Sequence, residues 1–283
     1  MSISPSSTGP SPARLDPKAL RGRTAVVTGA SSGIGAAFAR ALAARGADLV
    51  VVARRTDRLQ ALADELSPTG VRVHIRTADL GRPGAAAELA NSLAADGIPV
   101  DLLVNNAGLG LPHGRFDEAD PERLRELINV NVMAVAELAH ALLPVIRQRR
   151  GAIINMASSV SFLPTPYHTA YGAAKAFVLS LSEALWAENR DSGVRVLAVC
   201  PGRTITEFFE ASGPQANTGS AQTAEEVVAQ ALTALEGERP TIVTGWRNFL
   251  TAQLPRLLPR RMVVSIAERL GRTPVAPSEL VKA

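Results

Sequence analysis

Short apolar runs, often β-branched, alternate with longer helical segments along most of the chain. Strand-like runs stand at 24–30, 47–53, 71–78, 100–107, 151–158, 194–201 and 241–245. They are apolar on both faces, as buried parallel strands require. Segments with a 3.6-residue apolar period separate them, which predicts right-handed βαβ crossovers. We therefore expect an α/β protein: one doubly wound parallel sheet of about seven strands, with helices on both faces.

The strand and helix alternation continues without an internal break, so a single domain is predicted for residues 21–245. Residues 1–20 are rich in Ser and Pro, and we expect them to be a disordered tail. Residues 246–283 form a C-terminal extension. A substrate lid, a subunit contact and a disordered end all stay open for it.

Charge and rare residues argue against several functions. The net charge is only +4, and no dense Lys/Arg run with interleaved aromatics suggests nucleic-acid binding. Cys200 is the single cysteine, and the four histidines lack ligand spacing, so we expect no disulfide and no metal. The N-terminus has no apolar signal region, and no run of 18 apolar residues occurs, so a cytoplasmic protein is expected.

The first strand leads directly into the glycine-rich turn TGASSGIG at 28–35. Its glycines permit a tight turn and close backbone approach, and the amide end of the following helix favours a pyrophosphate. The spacing GxxxGxG differs from the GxGxxG of the usual dinucleotide fingerprint. The predicted cofactor contacts in this turn are Gly29, Ser31, Ser32, Gly33, Ile34 and Gly35.

The ends of the second and third strands indicate which dinucleotide fits. Arg54 and Arg55 stand where an NAD site usually has an acidic residue, and paired guanidiniums suit a 2′-phosphate. The interpretation that both are loop-surface arginines is the alternative. We therefore expect NADP(H) to be favoured over NAD(H). Asp79, followed by Leu80, is placed to accept from the adenine amino group, or to cap a helix.

Tyr171 and Lys175 lie four positions apart in the segment AYGAAKA. On a helix such a pair shares one face. In isolation, a packing tyrosine and a solvated lysine are the ordinary interpretation. Four further motifs give the pair a context: NNAG at 105–108, INVNV around Asn131, NMASS with Ser158, and PGRTIT at 201–206.

In order and spacing, these motifs resemble the classical short-chain dehydrogenase/reductase family across residues 22–245. The resemblance implies a single Rossmann-type domain with its cleft at the carboxyl ends of the strands. It also implies an oxidoreductase that interconverts a carbonyl compound and an alcohol with NADP(H). The catalytic residues implied are Asn131, Ser158, Tyr171 and Lys175, with Ser158 in the family's register thirteen positions before the tyrosine.

The family's cofactor contacts carry over to two more motifs. The NNAG turn stabilises the central sheet and packs by the adenosine ribose, whereas the PG motif wraps the nicotinamide. The backbone at 204 is expected to bond the carboxamide, although threonine there departs from the family's usual valine or isoleucine. The residues implied are Asn105, Asn106, Ala107, Gly108, Pro201, Gly202, Thr204 and Thr206, with Tyr171 and Lys175 beside the nicotinamide.

The implied chemistry is proton transfer coupled to hydride transfer. Tyr171 is the general acid in reduction, and Lys175 together with an oxidised nicotinamide is expected to lower the pKa of the phenol. Ser158 is expected to donate to the carbonyl oxygen, and Asn131 to complete a water relay.

Substrate choice is expected to depend on loops 109–116, 160–169 and 208–220. Phe162, Leu163, Phe208 and Phe209 suggest a bulky apolar carbonyl compound, such as a ketoacyl, steroid-like or secondary-metabolite ketone. His168 is either a substrate contact or an exposed loop residue.

Two alternatives stay open: a membrane-associated lipid or steroid reductase, suggested by the basic amphipathic stretch 246–272, and a non-catalytic NADP(H)-binding regulator. The resemblance also implies a homodimer or homotetramer.

Overall fold

In the computed structural model, which describes residues 14–207 and 221–272, one parallel sheet forms the centre of the molecule. Its strand order over these residues is β3-β2-β1-β4-β5-β6-β7. The chain thus builds the sheet outward from β1 to β3 on one side, and then returns to add β4 to β7 on the other side of β1. Every predicted strand is present, and the doubly wound prediction is confirmed. The strands are β1 Thr24–Thr28, β2 Asp48–Ala53, β3 Val73–Thr77, β4 Leu102–Asn105, β5 Ala152–Met156, β6 Arg195–Cys200 and β7 Thr241–Val243.

Helices cover both faces of the sheet. Their bounds are α1 Gly33–Ala43, α2 Thr56–Leu66, α3 Ala85–Ala95, α4 Pro121–Ile128, α5 Ala134–Gln148, α6 Thr169–Asn189, α7 Ala224–Glu236, α8 Trp246–Gln253 and α9 Arg260–Gly271. Helices α1, α2 and α7 share one apolar cluster with the sheet, with Phe38 fully buried in it. Helices α3 and α5 share a second cluster on the opposite face, against which the end of α6 packs.

The helical stretch between β4 and β5 is interrupted, although its apolar period predicts one continuous helix. A π-helical turn, Asn129–Met133, joins α4 to α5, and the amide of Ala134 donates to the carbonyl of Asn129 five residues back. By length and composition alone, 121–148 would be apolar enough to cross a membrane. Leu138, Leu142 and Ile146 instead pack on the sheet, which accounts for that composition.

The N-terminal boundary predicted at residue 20 is wrong. Leu15 and Leu20 are each only 1% exposed and belong to the main apolar cluster. The amide of Leu15 donates to the carbonyl of Arg150 at 3.2 Å, and that of Leu20 to the carbonyl of Arg45 at 2.8 Å. The folded unit therefore includes residues 14–20, while the rest of the predicted tail lies outside the described residues.

The C-terminal extension is helical over most of its described length. Ala252 of α8 is buried, and α8 packs against the 3₁₀ turn Ser159–Phe162 that follows β5. Val263 and Ala267 of α9 are buried as well. Residues 273–283 of the predicted extension lie outside the described part.

Candidate active site

A cleft of about 350 Å³ opens at the carboxyl ends of the strands. This is where a doubly wound sheet binds ligands, because the strand order reverses between β1 and β4 and the loops after these two strands leave a crevice there. Most of the sequence-predicted cofactor residues line it. They are Gly29, Ser31, Ser32, Gly33, Ile34, Arg54, Arg55, Asp79, Leu80, Ala107, Gly108, Tyr171, Lys175, Pro201, Gly202, Thr204 and Thr206, with Ser158 beside them.

The glycine turn is shaped by contacts that exclude side chains. Gly29 and Gly33 have φ of 66° and 53°, in the left-handed region that favours glycine. Gly35 does not line the cleft, but a Cβ on it would lie 2.2 Å from the carbonyl oxygen of Gly29. The turn therefore keeps its backbone amides close to the cleft, as binding of a pyrophosphate requires.

The two arginines after β2 have different partners. The Arg55 guanidinium donates to the hydroxyl of Ser31 at 3.0 Å and 3.3 Å, and to that of Ser32 at 3.0 Å. It also forms an ion pair with Glu207, at 3.0 Å. The Arg54 guanidinium reaches across the cleft to Glu126 of α4, also at 3.0 Å. Only Arg55 therefore joins the glycine turn.

Asp79 lies beside the cleft, shortly after β3, and does not cap a helix. One of its carboxylate oxygens accepts from the amide of Gly81 at 3.0 Å, and the next helix begins only at Ala85. The alternative of a helix N-cap is therefore wrong, and the side chain stays beside the cleft with Leu80.

The two adjacent asparagines of the NNAG turn differ in position and in hydrogen-bond partners. Asn105 is buried under the cleft, where its amide donates to the side-chain oxygen of Asn155 at 2.9 Å. Asn106 lines the cleft and donates to the carbonyls of Thr28 and Gly29 at 3.0 Å and 3.3 Å. Asn105 thus braces the central strands, as the family resemblance implies for this motif, but it does not face the cleft.

Ser158, Tyr171 and Lys175 meet at the other end of the cleft. The hydroxyls of Ser158 and Tyr171 are hydrogen-bonded to each other. Lys175 is buried one helical turn from Tyr171, its ammonium 5.8 Å from the centre of the phenol ring. That ammonium donates to the main-chain oxygen of Met156 at 2.8 Å, which fixes it below the cleft. Lys175 is therefore not a solvated surface charge.

Burial controls the protonation of this pair. It raises the pKa of Tyr171 to about 12, and the hydrogen bond with Ser158 opposes it only in part. Burial also lowers the pKa of Lys175 to about 8. In the protein alone, desolvation outweighs the other effects on the phenol, and the lowering expected from Lys175 with an oxidised nicotinamide stays a prediction for the complex. At neutral pH Tyr171 is a protonated acid.

Asn131 is buried in the π-helical turn, and its side chain does not line the cleft. Its amide nitrogen donates to the carbonyl of Leu109 at 2.7 Å, and its oxygen accepts from the amide of Leu109 at 3.1 Å. The side chain thus clamps the loop after β4. The water relay expected of Asn131 stays a prediction, since these two contacts use one N–H and one lone pair of its amide.

The loop after β6 turns its backbone toward the cleft. Gln222 donates to the carbonyl of Arg203 and accepts from the amide of Ile205, at 3.0 Å and 2.9 Å. In such a parallel bridge, the peptide groups of the intervening Thr204 point away from Gln222. Thr204 is buried and lines the cleft, and its carbonyl accepts from the hydroxyl of Thr206 at 3.5 Å.

Two apolar residues of the predicted substrate loop 160–169 do not line the cleft. Phe162 and Leu163 line a second cavity, of about 510 Å³, between α6 and the start of α9. The α6 residues that line it are Thr169, Gly172, Ala173 and Ala176, whereas Tyr171 and Lys175 of the same helix line the cleft. The suggestion that Phe162 and Leu163 favour a bulky apolar substrate stays a prediction. Phe208 and Phe209 lie outside the described residues.

His168 is not a fully exposed loop residue. Its ring packs edge-on against His113 at 4.8 Å, and His113 stacks on Tyr167 at 5.3 Å. Burial and the neighbouring His113 lower the pKa of His168. This ring cluster joins the loops after β4 and β5, so the two predicted substrate loops do meet.

Several residues at the site were missed by sequence reasoning. Glu126 and Glu207 neutralise the two arginines, and both are ordinary surface acids by their sequence neighbourhood. The Thr28 hydroxyl accepts from the amides of Asn106 and Ala107 at 2.9 Å and 3.0 Å, holding the NNAG turn against β1. For Thr28, the only signal is its place at the end of the first strand.

The chain is similar to known proteins over most of its length. A family model described as short chain dehydrogenase matches residues 23–217. A short chain dehydrogenase from Pseudocercospora fijiensis is 39% identical over 193 residues, 67% of this chain. The match spans 62% of that relative's length, which is less than two thirds.

Two solved structures have a closely similar fold. A short-chain dehydrogenase from Sphingobium yanoikuyae in complex with NADPH has a TM-score of 0.75 and 35% identity, covering 90% of this chain and 98% of that one. A bulky-bulky ketone specific alcohol dehydrogenase from Comamonas testosteroni has a TM-score of 0.71 and 33% identity, covering 83% and 92%.

Proposed function

The chain belongs to the short-chain dehydrogenase family of oxidoreductases, which act on CH–OH and C=O groups, and we propose that it reduces a bulky apolar ketone with NADPH. The observation that carries this proposal is the cleft itself. The hydrogen-bonded pair Ser158 and Tyr171 lies in the same cleft as Arg55, the guanidinium suited to a 2′-phosphate.

The residues of the cleft fit NADPH in shape and in charge. Gly33 lines the cleft at the N-terminus of α1, so the backbone amides there would bind a pyrophosphate. Arg55 with the Ser31 and Ser32 hydroxyls would hold the 2′-phosphate. Lys175 would bind the nicotinamide ribose, and the backbone of Thr204 the carboxamide. When bound, the cofactor supplies the hydride for carbonyl reduction.

The chain's own residues handle the carbonyl oxygen. Negative charge develops on that oxygen during reduction, so the Ser158 hydroxyl donates to it and orients it. Tyr171 then gives up its proton as general acid. The phenol is protonated at neutral pH, which is the form that reduction requires, and burial moves its pKa further above neutrality.

A ketone with two bulky apolar substituents is the proposed substrate class. The similarity to the bulky-bulky ketone specific enzyme supports it. The apolar cleft residues Leu109 and Met156 support it as well. Steroid-like and ketoacyl compounds fall within this class.

The first test is NADPH oxidation, followed by absorbance, with a panel of such ketones. Tyr171→Phe removes only the phenol oxygen, so turnover is expected to fall about 10²- to 10⁴-fold, the usual contribution of a general acid. NADPH binding, followed by cofactor fluorescence, should persist in the variant. Equal rates of NADPH oxidation by both proteins would refute the mechanism, and a wild-type preference for NADH would refute the assignment of Arg55.

A further inference from the structure

The C-terminal surface, defined as the exposed side chains of residues 246–272, displays large apolar residues. Nine of the fourteen exposed large apolar side chains of the described residues lie in this short segment, with exposed fractions from 38% to 80%. They are Trp246, Phe249, Leu250, Leu254, Leu257, Met262, Val264, Ile266 and Leu270. Clusters of this kind on a folded protein mark an interaction site.

The apolar side chains of α8 form a single stripe. Trp246, Phe249 and Leu250 recur at i, i+3 and i+4, so they share one side of the helix. The residue of α8 that is buried against the domain is the small Ala252. Helix α8 is thus anchored by a small side chain and presents its large ones outward.

Helix α9 repeats this arrangement. Val263 and Ala267 are buried against the domain, whereas Met262, Ile266 and Leu270, spaced four apart, are exposed. An ordinary surface helix buries its large apolar side chains and exposes polar ones. In α9 the large side chains lie outside, so a further apolar phase or surface is needed to cover them.

The same surface holds the positive charge of the whole molecule. Residues 246–272 contain six arginines and one glutamate, a net charge of +5, whereas the full chain of 30 basic and 26 acidic residues carries +4. The rest of the chain therefore carries −1. All six arginines are exposed, and the one glutamate, Glu268, is already paired with Arg272 at 2.6 Å.

We propose that the C-terminal surface binds the anionic phospholipid headgroups of a membrane, with its apolar stripes inserted at the interface. A helix that lies in the membrane plane combines arginines, which contact the lipid headgroups, with tryptophan, phenylalanine and leucine, which enter the apolar layer. Each arginine near an anionic leaflet contributes a similar amount of binding free energy, and the contributions of the arginines in this segment add up.

Charge argues against a second copy of this chain as the occupant. A two-fold interface places the same patch on both subunits. Two copies of the C-terminal surface would bring twelve arginines together with two glutamates, and that repulsion disfavours the contact. An anionic bilayer compensates the same charges. The proposal concerns binding alone, so its test does not depend on turnover.

The full-length protein is tested by flotation with phosphatidylcholine vesicles, with and without phosphatidylglycerol. Flotation is expected only with phosphatidylglycerol, and added salt should release the protein. The chain has two tryptophans, so Trp186→Phe leaves Trp246 as the sole reporter. Its emission should shift to shorter wavelength on binding, because an exposed indole enters an apolar phase.

Two matched triple variants separate this surface from net charge. Replacing Arg256, Arg260 and Arg261 by Gln should weaken vesicle binding by the order of a hundredfold. The control replaces three exposed arginines on other surfaces, Arg82, Arg115 and Arg125, by Gln and removes the same charge. It should bind vesicles like the wild type.

Absence of flotation with phosphatidylglycerol would overturn the proposal, and so would equal weakening in both triple variants. Sedimentation without vesicles tests the alternative that a second copy of this chain binds the C-terminal surface. A fall in oligomer mass in the Arg256/Arg260/Arg261 variant, without vesicle binding by the wild type, would identify the surface as a contact between copies.

Discussion

At the scale of single residues, the active site depends on two groups that burial moves away from their ordinary pKa values. Tyr171 is held protonated and Lys175 is easily deprotonated, since both lie out of water. The cost of burying Lys175 is part of the protein's stability balance, and the proposed function requires it. Stability and catalysis are expected to conflict at this lysine.

Lys175→Met is therefore predicted to abolish turnover without unfolding the protein. The pKa of Lys175 falls from 10.5 to about 8 on folding, which costs about 3 kcal/mol at neutral pH. The unfolded chain binds more protons between these two values, so this cost shrinks as the pH rises from about 8 to 10.5. Met removes the cost, and it also leaves the carbonyl of Met156 without its donor, a constant penalty of about 1–3 kcal/mol.

Urea unfolding at a series of pH values checks this prediction. The stability of Lys175→Met relative to wild type should be most favourable near pH 7 and decline toward pH 10.5. A difference that does not change with pH would mean that the lysine keeps its ordinary pKa in the folded state.

The two arginines of the cofactor cleft are predicted to contribute unequally. Arg55→Ala removes the charge-assisted contacts next to Ser31 and Ser32, so kcat/KM with NADPH should fall about 10- to 100-fold while that with NADH changes little. Arg54→Ala is the matched control, because Arg54 is paired with Glu126 and should matter less. Equal losses in the two variants would contradict this division.

Glu207 is predicted to compete with the 2′-phosphate. Its carboxylate pairs with Arg55 and Arg58, and these two arginines lower its pKa, so it is ionised at neutral pH. Glu207→Gln should therefore lower KM for NADPH by about two- to fivefold, the effect of an exposed ion pair, with no change for NADH. A raised KM for NADPH would show that Glu207 supports the site.

Sequence motifs predicted which residues line the cleft better than they predicted the ion-pair partners of those residues. Ser158, Tyr171 and Lys175 come together because strand ends and a single helix face fix their positions. Glu126 and Glu207 were missed, because ion pairs between long side chains of distant loops leave no spacing pattern. Sequence also does not reveal whether the amide of a buried asparagine faces a cleft or a neighbouring backbone.

At the scale of elements, the strands were predictable because apolar runs on both faces have few other uses. The π-helical turn at Asn129–Met133 was not predictable, because the apolar residues on both sides keep a helical period. Such turns occur often at functional sites. Here the turn carries Asn131, whose side chain holds the loop after β4.

The glycine turn gives a sharp prediction at this scale. Gly35→Ala should abolish cofactor binding or folding, because its Cβ would lie 2.2 Å from the Gly29 carbonyl oxygen, which is backbone and cannot move aside. Gly237→Ala is the control, since a Cβ there has only an ordinary 3.5 Å contact with the carbonyl of Ala234. NADPH binding and thermal melting measure both. Tolerance of Gly35→Ala would show that the turn can open.

At the scale of the whole molecule, the ends of the chain were the least predictable parts. Two leucines in a Ser/Pro-rich stretch have no period, so their burial depends entirely on contacts that are distant in sequence. The C-terminal helices show a period, but the large residues on it face outward. Both failures arise because local patterns report which side chains are apolar, and not which surface covers them.

The final prediction concerns the N-terminal segment as part of the folding unit. Leu15 lies in the same apolar cluster as the sheet, and the side chain of Arg195 at the start of β6 donates to its carbonyl. Leu15→Ala and Leu20→Ala should each lower the free energy of unfolding by about 2–5 kcal/mol, as for other buried leucines. Leu257→Ala, at a residue that is 80% exposed, should change it by less than about 0.5 kcal/mol. Denaturant unfolding with a single transition is expected for all three variants, because the segment shares the main core. If Leu15→Ala cost no more than Leu257→Ala, the segment would be an independent arm, and the domain would begin at β1.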